Sequence, residues 1–290
     1  MKIGNKIMKS CMALATAAVM LTATVFADPA ANGTDWENGV VRATGSGVNT
    51  KAKTEGQRRV LAKRAAIMDA QRNLAESVEG VHVTSESSMK DLEVEYDIVK
   101  TSVNATIKNM TEISSKYYKD GTCEVVLEMP LFGSSNSVAQ SAFLPFKDEP
   151  KEPFPQPTNN VNINVTTNVN TTVGGVVSNR YTGLVVDCSG LGLEAVMSPV
   201  VKNGNGQPIY GYKNLDIDKV IDQGMASYAT SANDATTRSR AGNNPLVVKA
   251  QKVDGIIPGN PVVSVADADK ILIANQSDMF LDNCNVVFVK

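Results

Sequence analysis

A proton shuttle at neutral pH usually needs histidine, and this chain has one, His82. A serine nucleophile needs a base beside it, so any Ser-His-Asp reading must route through that residue. No Gly-x-Ser-x-Gly elbow accompanies it, and His82 reads as a strand residue facing water. Gly45-Ser46-Gly47 and Ser189-Gly190-Leu191-Gly192 resemble fragments of phosphate loops. Neither completes Gly-x-Gly-x-x-Gly or carries the Lys-Ser/Thr ending of a P-loop, so both read as tight turns at strand ends. The close acidic pairs Asp216/Asp218, Asp267/Asp269 and Asp278/Asp282 have the oxygen chemistry calcium favours. Their spacing omits the later Gly and Glu of a calcium loop, and Asp at helix starts caps free amides. The expectation is therefore no catalytic residue, no cofactor and no metal. A carboxylate-based hydrolase is the weakest of the functional readings.

The cysteines give a second chemistry. Cys123, Cys188 and Cys284 follow the apolar N-terminal run, and no Cys-x-x-Cys is present. In an oxidising compartment, Cys188 with Cys284 is the favoured disulfide, since both sit in strand-like stretches. Three buried thiols are the other reading.

The compartment is read from the first residues. Lys2, Lys6 and Lys9 precede an uncharged run from Cys11 to Leu21, and Val25-Phe26-Ala27 fits a peptidase site. Residues 1–27 are read as a signal peptide of bacterial type, cleaved near Ala27, which places the protein in the periplasm or cell envelope. The run is short of the roughly 20 residues of a spanning helix, and the mature chain is expected to hold no transmembrane segment. The formal net charge of −2, with scattered Lys and Arg, leaves no footprint for nucleic acid.

The elements that would position any site follow from periodicity. Val40–Gly47 is a strand. Thr54-Glu55-Gly56-Gln57 opens a helix whose apolar stripe is read as Val60, Leu61, Ile67, Met68, Leu74, Ala75 and Val78, ending at Gly80. Arg58, Arg59, Lys63, Arg64 and Arg72 fill much of its other side. That basic face is either solvated or meets anionic lipid or polymer. Val81–Ser85 follows as a strand, Met89–Lys108 as a helix, and Ile113–Tyr118 with Cys123–Leu131 as a hairpin around Lys119-Asp120-Gly121. Residues 134–180 read as a Pro/Asn/Thr-rich linker. Within it, at 161–173, Val161, Ile163, Val165 and Val169 alternate with uncharged polar residues. That pattern is a strand offered to a partner or second copy, a strand of the protein's own sheet, or a low-complexity linker. Residues 181–290 form a second domain, with a hairpin at Asn203-Gly204-Asn205-Gly206 and helix starts at Asp216 and Ser264. The fold class is α+β: two small domains, each with helices packed on a mainly antiparallel sheet.

Val41-Arg42-Ala43-Thr44-Gly45-Ser46-Gly47, Ala62-Lys63-Arg64-Ala65-Ala66, Asn73-Leu74-Ala75-Glu76, Asp120-Gly121-Thr122-Cys123-Glu124-Val125 and Met129-Pro130-Leu131 carry a family likeness. In that order they resemble the twenty-kilodalton outer-membrane lipoprotein (LPP) family, and are similar to the N-terminal domain of flagellar assembly protein T. The resemblance covers residues 39–133. It implies a β-α-β-α-β-β domain in an exported envelope protein. The implied role is structural or interacting, linked to outer-membrane or flagellar-ring assembly. Its partners would be itself or other envelope proteins, with peripheral outer-membrane association. No cysteine stands at the cleavage site, where those lipoproteins are acylated. The alternative is a periplasmic binding module for a small ligand or surface polymer.

Overall fold

The computed structural model describes residues 32–158, 180–237 and 239–290. The N-terminal half runs β1 (Gly33–Asp35), β2 (Val40–Val48), α1 (Glu55–Glu79), α2 (Met89–Glu95), α3 (Asp97–Lys108), β3 (Thr111–Tyr117) and β4 (Thr122–Pro130). Its sheet is antiparallel, in the order β1-β2-β4-β3. The helix expected over Met89–Lys108 is two helices, because Tyr96 takes an extended backbone between them.

Helix α1 starts where Thr54 accepts a hydrogen bond from the Gln57 amide at 3.2 Å. Its buried stripe is Ala62, Ala66, Ala70, Leu74 and Val78. The larger Val60, Leu61 and Met68 of the expected stripe point outward. Small residues lie inside because β2 comes very close. A Cβ on Gly45 would fall 2.0 Å from the Ala70 nitrogen, and one on Gly47 2.4 Å from the Ala66 nitrogen. Gly45-Ser46-Gly47 is therefore no turn. It lies within the second half of β2, made of glycine so that strand and helix backbones can touch. The helix also covers polar groups of β2: Asp69 accepts from the Ser46 amide at 3.0 Å, and Asn73 donates to the Thr44 carbonyl at 2.8 Å.

The first part of the expected linker is packed structure. Helix α4 (Val138–Phe143) and a 3-10 turn (Leu144–Phe146) follow β4. Val138, Ala139, Ala142 and Phe143 are buried, and Phe143, Phe146, Tyr96 and Tyr212 form an aromatic cluster. In sequence the α4 residues are split by Gln140-Ser141 and follow a serine-rich run, which hid their shared face. The proline-rich run beyond is pinned by the Glu152 amide on the Lys213 carbonyl at 2.8 Å and by Lys151–Asp282 at 2.8 Å. The alternating stretch 161–173 lies outside the described residues.

The C-terminal half contains β5 (Leu184–Asp187), β6 (Val201–Lys202), β7 (Pro208–Tyr210), α5 (Ile217–Gln223), β8 (Ser227–Ala229), α6 (Ala232–Thr237), β9 (Leu246–Lys249), β10 (Lys252–Asp254), β11 (Asn260–Val262), α7 (Val265–Asp278) and β12 (Val286–Val289). One sheet, β10-β11-β6-β7, is mixed. The other, β8-β12-β5-β9, is parallel throughout. The α+β class stands for the chain, with this sheet differing from the antiparallel order expected here. A parallel sheet must be covered on both faces. Leu184, Val186 and Phe288 face the main core with α7, whereas Val185, Val287 and Val289 pack with Ala235 of α6 and with Ala241.

The two halves share one core, and the described residues form one compact unit. The segment Val81–Ser85, read as a strand, makes only an isolated bridge between His82 and Ser88. Besides local bonds to Val78, Ser87 and Met89, it has backbone partners in the other half. The Met197 and Ser198 amides donate to the His82 and Val83 carbonyls at 3.0 and 2.7 Å, and the Ile257 amide donates to Ser85 at 2.9 Å. No described helix is long and apolar enough to cross a membrane.

Candidate functional site

The reactive residue types are mostly committed to structure. Cys188 follows β5 at its carboxyl end and Cys284 precedes β12 at its amino end. These strands are parallel neighbours, with Leu184 opposite Val286. The two cysteines are therefore separated along the strands by at least four residues, about 13 Å, well beyond disulfide reach. The expected Cys188–Cys284 pair is not formed, and Cys123, Cys188 and Cys284 are all free and buried. Burial pushes the Cys188 thiol up to about 12 and raises the other two. His82 is half-buried and contributes its backbone carbonyl to the junction between halves.

The acidic pairs do not converge. Asp216 caps α5 by accepting from the Asp218 amide at 2.9 Å, and Asp218 pairs with Lys147 at 3.2 Å. Asp267 completes the Ser264 cap of α7, and Asp269 accepts from the Thr158 amide at 2.7 Å. Asp278 accepts from the Tyr181 amide at 2.8 Å. Burial pushes the Asp282 carboxyl up, but hydrogen bonds from Lys151 and Asn275 outweigh it and hold it below the usual range. Among the described residues, no group of three His, Cys, Asp or Glu is placed to hold a metal ion.

Among the described residues, the surface crevices include two of similar volume. The first, about 490 Å³, lies along β8 and the carboxyl end of β12. Open parallel sheets commonly place ligands outside strand carboxyl ends. Trp36, from the turn between β1 and β2, meets Tyr228 of β8 edge-on at 5.9 Å. Tyr228 is fixed because its hydroxyl donates to the Val196 carbonyl at 2.8 Å and accepts from the Val196 amide at 2.9 Å. Arg240 forms another wall. Its guanidinium donates to the Gly224 carbonyl at 2.9 Å, the Cys284 carbonyl at 3.2 Å and the Gln223 carbonyl. It thereby satisfies the carboxyl end of α5 and offsets that helix's dipole. Ser227, Thr230, Ser239 and Lys290 complete a lining of aromatic face, hydroxyl and positive charge, opposed by Glu37 and Asp234. That lining can hold a small molecule bearing a ring and an anionic group.

The second crevice, about 540 Å³, opens between the end of β2, the start of α1 and the β3–β4 hairpin. Arg59 lies 5.3 Å from the centre of the Tyr117 ring and 3.6 Å from Glu55, while Arg58 donates to the Ala52 carbonyl at 3.2 Å. Tyr118, Lys119 and Asp120 close the far side.

Sequence reading singled out Arg58 and Arg59 but not Trp36, Tyr228 or Arg240. Trp36 sits in a polar stretch and Arg240 in a segment of weak periodicity, while Tyr228, whose spacing suggests the helix that starts at Asp216, lies instead on β8 beyond the end of that helix at Gln223. The only available signal was that Trp36 is the single tryptophan.

Residues 183–290 match a family model described as the second domain of Treponema pallidum Tp0624. That match spans the two C-terminal sheets and leaves out both Trp36 and α1. No curated protein matches the chain.

Proposed function

We propose that this is an exported, non-enzymatic bacterial cell-envelope protein that works by contact with itself or with other envelope proteins, linked to outer-membrane or flagellar-ring assembly. The leader-like residues 1–27 and the resemblance over residues 39–133 support that reading. The observation that carries it is the contrast between the two sides of the first sheet. The part of β2 beyond β1 is covered by Asp69, Asn73 and Asn32, which bond its backbone. Strand β3, at the opposite edge, is exposed at all seven residues, Ile113 and Tyr117 included. Such an edge can accept a strand from another chain.

The test is recovery of the protein from envelope fractions with partners held by crosslinking. Co-purification with ring or outer-membrane components, reduced in Ile113→Lys, supports the reading. A monodisperse monomer without partners refutes it.

A second reading, a small-ligand binding module, is favoured by the crevice at Trp36. Because Trp36 is the only tryptophan, the intrinsic fluorescence reports directly on that crevice. Saturable quenching by a small aromatic anion, lost in Arg240→Gln, would support it. A flat titration across such compounds would dismiss it.

A further inference from the structure

We propose that the outward face of the first half of α1, together with the crevice at its start, docks on an anionic lipid surface. A helix that packs on a sheet ordinarily buries its large apolar residues and exposes its small ones. Here the order is reversed. Ala62, Ala66 and Ala70 are inside, while Met68 is 71%, Val60 54% and Leu61 38% exposed. The close approach of β2 explains the alanines within. It does not explain the apolar residues outside.

The same stretch is basic. From Glu55 to Met68 there are four cations, Arg58, Arg59, Lys63 and Arg64, and one carboxylate. Lys63 is tied to Glu112 at 2.7 Å and Arg59 to Glu55 at 3.6 Å. Arg58 and Arg64 have no carboxylate within ion-pair distance among the described residues. At the start of the helix the crevice adds Tyr117 and Tyr118, with Lys119 balanced by Asp120. Cations meet lipid phosphates, apolar side chains enter the acyl boundary, and tyrosines sit at headgroup depth. A soluble polyanion would use the charges but gain little from Val60, Leu61 and Met68. Charge complementarity and the interleaved apolar side chains therefore select a membrane surface.

This inference rests on the envelope reading, since the helix must face an anionic leaflet. Cell fractionation tests location separately, so failure of one is distinguishable from failure of the other. The direct test is sedimentation of the mature, exported protein with vesicles. Phosphatidylglycerol/phosphatidylethanolamine vesicles should bind it at low salt, and phosphatidylcholine vesicles should not. High salt should release it, as screening shortens the reach of the field. Each Arg near such a surface is worth about fivefold in binding, so Arg58→Gln with Arg64→Gln should weaken it roughly 25-fold. Met68→Ser should weaken it a few-fold while leaving the salt dependence intact. All three positions are exposed, and circular dichroism checks that the variants stay folded. Equal binding to phosphatidylcholine, or full binding by the double variant, overturns the proposal. So does displacement by millimolar inorganic phosphate, or tight binding to a soluble polyanion without vesicle binding.

Discussion

Replacing Gly45 by alanine would place a methyl carbon 2.0 Å from the Ala70 nitrogen, 2.4 Å from the Ala66 carbonyl oxygen and 2.5 Å from the Ala70 Cα. All three neighbours are backbone atoms of α1, so no side-chain rotation relieves the contact. Ordinary separation is about 3.5 Å, and α1 must retreat from β2 by roughly 1.5 Å. Around the contact the stripe is Ala62, Ala66 and Ala70, with no longer side chain to follow the sheet, and a gap of that size forfeits half or more of the dispersion energy there. Overpacking of this kind typically costs about 1–3 kcal/mol. The hydrogen bonds of Asp69 to Ser46 and Asn73 to Thr44, at 3.0 and 2.8 Å, would be stretched as well, at about 1 kcal/mol each. The expected loss is about 3–5 kcal/mol, at the severe end for single substitutions. Urea denaturation should show it as a lowered midpoint. Thermal unfolding should show it as a fall of roughly 10 °C, at about 2–4 °C per kcal/mol for a unit of this size. Gly56, at the exposed start of α1, is the control. A Cβ there meets nothing within 4 Å, so Gly56→Ala should stabilise by up to about 1 kcal/mol. A Gly45→Ala protein within about 0.5 kcal/mol of the parent, or equal losses at both glycines, would refute the close-approach account.

Asn260→Ala removes a buried side chain that accepts from the Val200 amide at 2.9 Å and donates to Ser85 across the junction of the halves. A loss of about 2 kcal/mol is expected in one cooperative urea transition. Two separate transitions in the parent protein would contradict the shared core. Native Cys188 and Cys284 should resist a thiol reagent and react fully in denaturant, with mass spectrometry finding no disulfide between them. Cys188 keeps its proton to about pH 12 when folded and releases it nearer 9.0 when unfolded. Its contribution is intact below pH 9 and is lost as pH rises towards 12, at no more than about 1.4 kcal/mol per pH unit. Cys188→Ala should flatten that alkaline slope, and an unchanged slope would refute the assignment.

Local signals were legible. Thr54, Ser264 and Asp216 cap the helices they were expected to open, and Asp120-Gly121 and Asn203–Gly206 make the expected hairpins. What was hidden depends on pairs distant in sequence. The parallel sheet joins β5 to β12 across about a hundred residues, and no periodicity within either strand specifies the direction of its neighbour. Gly45 and Gly47 looked like a turn because a strand glycine and a turn glycine are identical until a helix is laid on top. The first half of the α1 stripe was hidden for the same reason, since size suggests Val60 and Met68 for the core whereas distance requires alanine; Leu74 and Val78, farther along, are buried as their spacing indicates. The Trp36 crevice draws on residues nearly 200 apart, so no motif spacing could announce it. Capping at Asp216 and Asp267 is a neighbour effect visible in the sequence, whereas Asp269 and Asp278 bond residues about a hundred positions away.

The position of β12 bears on how the fold carries tension. The strand lies between β5 and β8, in parallel register with both. A load applied at Lys290 pulls along its axis and must shear two ladders together. At the other end, β1 is three residues long and pairs only with β2. A load entering near Asn32 peels a few bonds in succession. Strand β12, held by two ladders, is thus built to resist axial load better than β1, held by one short ladder.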